Sequence, residues 1–248
     1  MRLLLLNPNT TVALTDLMLA AARPVAAADT VIVPATAPRG VPYIATRAEA
    51  QLAGGVALEM LADRQGQFDA AIMAAFGDPG LGGARELFPQ PIIGVAEAGM
   101  LLACMLGRQF SVVTFATALE PWYRECVAMH GLESRCASIR TLDGTFNSIA
   151  AVQEEKEALL VAMASTAVAQ DEADVVILAG APLAGLAAKV ADQIPVPVVD
   201  CVVAAVKMAE GMVALAPRKA TKGSFRRPDA KSIIGLPDAL TRWIGHEN

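Results

Sequence analysis

The sequence predicts an α/β protein of two pseudo-symmetric lobes, each a short parallel sheet flanked by helices, with an active-site cleft between them. Three observations predict it. Short apolar runs alternate with Ala/Leu/Glu-rich stretches along the whole chain, the order expected of strands joined by helices. Most of the runs are continuously apolar rather than alternating, as suits parallel strands buried on both faces. Three strand-then-turn units also recur in the same order in the two halves, which suggests a duplicated lobe.

The strand-like runs are "RLLLLN" (2–7), "TVIVPA" (30–35), "FDAAIMAAF" (68–76), "PIIGV" (91–95), "FSVVTF" (110–115), "RCASIRTL" (135–142), "DVVILAG" (174–180) and "PVPVVD" (195–200). Between them lie stretches such as "ATRAEAQLAGGVALEMLADRQ" and "SIAAVQEEKEALLVAMASTAVAQ", whose charges recur on one side of a helical wheel. In the repeat, "LLLLNPNT" (3–10) pairs with "SVVTFATA" (111–118), and "AIMAAFGDPG" (71–80) with "VVILAGAPLAG" (175–185). "PQPIIGV" (89–95) pairs with "PVPVVDC" (195–201). The reading assigns residues 1–97 and 206–248 to a first lobe with a C-terminal return, and 98–205 to a second. Ligands of open parallel sheets sit beyond the carboxyl ends of the strands. Those ends carry Asn7, Phe76 to Asp78, Thr114 and Gly180 to Pro182, which would converge if the lobes face each other.

Composition narrows the function classes. Hydrophobic residues make up 54 % of the 248 and charged residues 18 %, so the chain has ample material for a core. Net charge is -5 with no block of like charges, which argues against nucleic acid as a partner. The N-terminal apolar run stops at Asn7-Pro8-Asn9, short of a secretory segment, and no breaker-free stretch has the length of a membrane span. A soluble, cytoplasmic protein is expected. Its four cysteines (Cys104, Cys126, Cys136, Cys201) have no C-x-x-C spacing, and His130 and His246 have no ligand-type companions nearby in sequence; no metal is expected. No G-x-G-x-x-G follows the first strand and no Walker sequence occurs, so a dinucleotide or nucleoside triphosphate is disfavoured.

Several strand-end residues have two readings. In "LNPNT", Asn7, Asn9 and Thr10 either hold a carboxylate or ureido oxygen or cap the next helix. Tyr43 in "RGVPYIATRAE" either lines a pocket or packs within its loop, and Thr114 and Thr117 in "VVTFAT" either meet a substrate oxygen or cap. The adjacent arginines of "GSFRRP" (223–228) read as a solvated loop rather than an anion site.

The ordered set "LLLNPNTT", "AAFGDPGL", "FSVVTFAT", "ILAGAPLAG", "PVVDCVVAAVKMAE" and "RKATKGSFRRP" resembles the aspartate/glutamate/hydantoin racemase superfamily, nearest its hydantoin and allantoin racemase branch. The resemblance runs over essentially the full chain. It implies a cofactor-independent, homo-oligomeric racemase or isomerase acting on a small amino-acid derivative such as a hydantoin or allantoin. It also implies two cysteines on opposite faces of the substrate, one thiolate removing a proton and the other thiol returning one. The family motif puts those thiols where Ala75 and Gly180 stand. Substrate contacts are expected at Asn7, Asn9, Tyr43, Phe76, Gly77, Thr114, Thr117, Gly180, Ala181 and Pro182. Asp78 and Asp200 are the acids nearest the strand ends and the candidate replacements, with Cys201 beside Asp200. Two alternatives accompany this reading: a one-sided lyase or decarboxylase on a small carboxylic acid, and a catalytically inactive protein that binds a small molecule.

Overall fold

The computed structural model describes residues 1–143 and 148–247. The first half runs β1 (Arg2–Asn7), α1 (Val12–Ala22), β2 (Val31–Thr36), α2 (Arg47–Asp63), β3 (Ala70–Met73), α3 (Leu81–Leu87), β4 (Ile92–Gly94) and α4 (Val95–Leu106). The second runs β5 (Phe110–Thr114), α5 (Glu120–Met129), β6 (Cys136–Thr141), α6 (Val152–Asp171), β7 (Val175–Leu178), α7 (Leu186–Val190), β8 (Val198–Asp200) and α8 (Cys201–Leu215). A last helix, α9 (Asp238–Gly245), closes the chain. The strands form two four-stranded parallel sheets of the same order, β2-β1-β3-β4 and β6-β5-β7-β8. All eight apolar runs contain a strand. The run at 68–76 is longer than its strand because the ladder to β1 ends where Ala74 N donates to Leu6 O; the remaining residues form the turn.

Local chemistry explains the elements. In β1, Leu3 and Leu5 face one apolar cluster and Leu4 and Leu6 the other, so both faces are buried and alternation disappears. Pro34 is tolerated in β2 because that strand is at the sheet edge. Thr46 and Glu49 form a reciprocal capping box that starts α2.

The lobes are joined by exchanged helices. Helix α4 leaves the first sheet and packs on β7 and β8, while α8 leaves the second and packs on β3 and β4; α4 and α8 also pack on each other. One continuous core thus runs through both sheets. A smaller core lies under α2, α3 and α9. There Trp243 stacks on Phe88 at 5.6 Å, its indole donates to Leu87 O, and the Arg227 guanidinium lies 4.5 Å from its ring centre. Arg227 is therefore a clamp on α9, whereas Arg226 pairs with Asp229 at the surface. Among the described residues no helix is long and apolar enough to cross a membrane.

Candidate active site

Ala75 follows β3 and Gly180 follows β7, and the fold brings both to the walls of the same two small cavities between the lobes. The first, about 30 Å³, is lined by Asn9, Tyr43, Ala75, Phe76, Phe115, Trp122, Tyr123, Gly180, Ala181 and Pro182 among others. The second, about 10 Å³, adds Met18, Leu178, Asp200 and Cys201. Such volumes hold about one or two waters. A ring-sized ligand enters only if an aromatic wall or the facing lobe yields. Among the described residues the aromatic side chains of Tyr43, Phe76, Phe115, Trp122 and Tyr123 line the first cavity, which explains its closure. Trp122 is also a wall of an open groove of about 470 Å³ on the far side of the β3 turn.

The turn after β3 is shaped by its glycines and by Asp78. Gly77 has φ +106°, and a Cβ there would lie 2.2 Å from the Trp122 indole; only glycine fits. Asp78 takes the left-handed φ of +47° and turns its buried carboxylate away from the cavities. It accepts from Ala96 N at 3.0 Å and Glu97 N at 2.9 Å, capping α4 across the turn. His130 Nε2 lies 3.0 Å from the same carboxylate, and Glu97 reaches both His130 Nδ1 (3.6 Å) and Arg85. Asp78, Cys126 and His130 hold their ligand-type atoms within 4.8 Å of one another. The carboxylate companion of His130 is not nearby in sequence; it comes from an element far away in the chain. Each Asp78 oxygen is already engaged, so this cluster ties α5 to the first-lobe turn.

Asp200, at the end of β8, caps α8 through Val202 N (2.8 Å) and Val203 N (3.1 Å) and accepts from Gly185 N at 2.5 Å. Both acids considered as replacement proton carriers are thus helix caps; Asp200 borders the second inter-lobe cavity, whereas Asp78 borders the outer groove. Cys201 is buried beside it, and burial followed by the Asp200 and Asp78 charges pushes its thiol well above the usual range. It stays protonated near neutrality.

The other predicted contacts divide. Asn9, Tyr43, Phe76, Gly180, Ala181 and Pro182 line the first cavity. Asn9 Oδ1 accepts from Thr11 N and Asn7 Nδ2, leaving its Nδ2 for a ligand. Asn7 lies beneath, fully buried; its amide donates to Asn9 Oδ1 and Thr15 Oγ1, so it orders the turn rather than facing the cleft. Thr114 is buried and donates to Ala179 O at 2.9 Å. Thr117 is exposed, with Asp143 Oδ1 at 2.7 Å, and Gly77 faces the outer groove. These last two therefore lie outside the cavities, because the chain turns outward after each strand end.

Three aromatic residues of the cleft are not foreseen by the sequence: Phe115, Trp122 and Tyr123. Trp122 and Tyr123 belong to α5, whose amphipathic pattern signals burial but not which lobe it covers. Tyr123 packs against Phe76 at 4.5 Å between ring centres. Burial raises its phenol well above the usual tyrosine range, against a smaller opposing effect of a hydrogen bond with Thr114.

Comparison with known proteins agrees with this architecture. Residues 3–209 match the family described as Asp/Glu/Hydantoin racemase. The hydantoin racemase of Paenarthrobacter aurescens is 33 % identical over 239 residues, covering 94 % of this chain and 100 % of the relative. The structure of the allantoin racemase from Klebsiella pneumoniae superposes with a TM-score of 0.91 at 33 % identity, covering 97 % of this chain and 98 % of that one. Arylmalonate decarboxylase, at TM-score 0.61 and 16 % identity over 86 % of this chain and 92 % of its own, shares the fold.

Proposed function

Because the chain belongs to the Asp/Glu/hydantoin racemase family, we propose that this racemase-family enzyme acts on a small neutral cyclic ureide of the hydantoin or allantoin class, at the cleft between Ala75 and Gly180. One observation carries the choice of ligand: among the described residues no Lys, Arg or His lines either inter-lobe cavity. A free amino acid or a malonate would bring at least one carboxylate into an apolar, aromatic site with no cation to meet it, a costly burial. A cyclic ureide brings only carbonyls and N–H groups, which neutral partners such as Asn9 satisfy. The same argument disfavours the decarboxylase alternative.

The two-thiol route has no carriers at Ala75 or Gly180, and the buried Cys201 thiol is a proton donor rather than a base. Any exchange at the ring carbon next to the carbonyl therefore proceeds without a thiol at either family position. That observation also favours the second reading, binding without turnover. Incubating 5-benzylhydantoin and allantoin with the protein in deuterium oxide separates the readings. Deuterium gain at the ring carbon with loss of optical rotation supports the enzyme; thermal stabilisation without exchange supports the binder. Neither effect with any hydantoin or allantoin overturns the ligand class. Homo-oligomerisation is part of this reading, supported by exposed Leu101, Met105 and Met212 on α4 and α8, as is a cytoplasmic location, supported by four unpaired cysteines.

A further inference from the structure

Gly180 stands where the second-lobe thiol is expected, and its surroundings show what has taken that space. A Cβ on Gly180 would lie 2.8 Å from Phe115 Cε1 and 3.3 Å from the Tyr123 hydroxyl. Its φ of +110° is also a conformation that side chains rarely adopt. Position 180 is thus closed to a side chain from two directions, and the polar atom at its edge is a phenol from α5. We propose that the Tyr123 hydroxyl is the ligand-gripping donor of the second lobe, hydrogen-bonding a ring carbonyl oxygen that occupies the space over Gly180.

The proposal rests on the cyclic-ureide reading of the cleft. Its geometry is independent of that reading. Tyr123 lines the same cavity as Ala75 and Gly180, and its ring is fixed by Phe76 and by Trp122, at 5.6 Å between centres. A ligand oxygen in van der Waals contact with Gly180 Cα and Phe115, on the cavity side of the Cβ position, stands in reach of the hydroxyl, which is 3.3 Å from that position. Burial keeps the phenol protonated, so it acts as a donor and not as a base. Thr114 Oγ1 is its polar side-chain neighbour and gives its own proton to Ala179 O. Against the neutral Thr114 oxygen, a ureide carbonyl is the stronger acceptor for the phenol proton. Where charge develops on that oxygen as the neighbouring carbon loses its proton, a donor already in place stabilises it.

The test uses the full chain and 5-benzylhydantoin labelled with ¹³C at the carbonyl next to the ring carbon. Affinity is read by calorimetry and the labelled carbonyl stretch by difference infrared spectroscopy. Tyr123→Phe is expected to weaken binding about tenfold and to move the bound carbonyl stretch to higher frequency. A variant with wild-type affinity and an unchanged stretch overturns the proposal while leaving the ligand class standing. A wild-type protein that binds no hydantoin or allantoin overturns the ligand class and this proposal with it. If Tyr123→Phe fails to fold, tyrosine labelled with ¹³C at the ζ carbon serves in the wild-type protein, with Tyr43→Phe assigning the two signals. A Tyr123 signal unmoved by saturating ligand overturns the proposal by that route.

Discussion

The turns after β3 and β7 occupy equivalent places in the two lobes and do the same structural job with different residues. Each ends in a left-handed glycine before a short helix, Gly80 at φ +79° and Gly185 at φ +83°. Each is fastened to its lobe's next strand-to-helix junction by one carboxylate. In the first lobe that carboxylate belongs to the turn: Asp78 reaches forward to Ala96 and Glu97 at the start of α4. In the second it belongs to the strand end: Asp200 caps α8 and reaches back to Gly185. The bridge is kept and its owner exchanged. Gly94, the first-lobe counterpart of Asp200, confirms this, because a Cβ there would lie 2.3 Å from Asp78 Oδ2. The helices that cover the turns differ as well. Trp122 of α5 lies against the first and Tyr123 reaches both, from Phe76 to Gly180, whereas the second also meets Met18 and Ala21 of α1. The asymmetry places large aromatic groups where a symmetric pair of thiols would need room.

The largest expected effect follows from the unequal family positions. Gly180→Cys combines a left-handed backbone with an overlap against Phe115 and is expected to cost about 4 kcal/mol of stability. Ala75→Cys adds one sulfur at a position without positive φ, beside the cavity, and is expected to cost less than about 1 kcal/mol. Denaturant unfolding of the two variants measures the difference. Phe115→Ala should cost less in the Gly180→Cys background than in the wild type, by the steric part of the overlap, leaving the backbone part in place. Equal stability of the two single variants would refute this asymmetry of the two lobes.

The sequence made the sheets legible because both faces of each strand are buried, and continuous apolar runs are a strong local signal. It also made Ala75 and Gly180 legible, since the turn grammar around them survives. It could not reveal Tyr123 as a cleft residue, because helical periodicity marks α5 as half-buried without saying that it lies over the other lobe. Nor could it separate capping from ligand binding at Asn7 and Asp78. That choice depends on whether the side chain finds a backbone donor or an open cavity, and the decisive partners are remote, as with Ala96, Glu97 and His130 for Asp78. Thr117 and Gly77 failed to reach the cavities for a related reason: spacing from a strand end does not fix the direction in which the chain leaves it.

The carboxylate bridges give the next largest effect. Asp78→Ala strands two backbone donors and His130 in a buried place, for an expected loss of about 3 kcal/mol. Asp200→Ala also strands backbone donors, but water reaches that partly exposed site, so about 1–2 kcal/mol is expected. The exchange of owner can be tested directly. Gly94→Asp alone should be strongly destabilising because it collides with Asp78, and pairing it with Asp78→Leu should rescue much of the loss by rebuilding the first lobe on the second lobe's plan. Chemical denaturation of the four proteins in the cycle measures that coupling. Additive losses would mean that the two bridges are not interchangeable designs.

The smallest effect concerns pH and the one buried thiol that each bridge approaches. Cys126 lies behind the first-lobe turn, raised well above its usual value by burial and then by Asp78; Cys201 adjoins Asp200 and is raised by burial and then by Asp200. A thiol whose folded value is raised contributes stability that is complete below its unfolded value, about 8.5, and is lost as pH climbs toward the folded one. The unfolded chain sheds those protons first, so alkaline solution favours unfolding. At pH near 9.5 each thiol should account for about 1 kcal/mol of lost stability, with no effect below pH 8. Thermal unfolding between pH 7 and 9.5 should therefore fall less steeply for Cys126→Ala and for Cys201→Ala than for the wild type. The phenol of Tyr123 adds nothing in this window, because even an unfolded tyrosine keeps its proton until about pH 10. If both alanine variants retain the wild-type slope, the alkaline loss has another origin and the thiols are electrostatically silent in the fold.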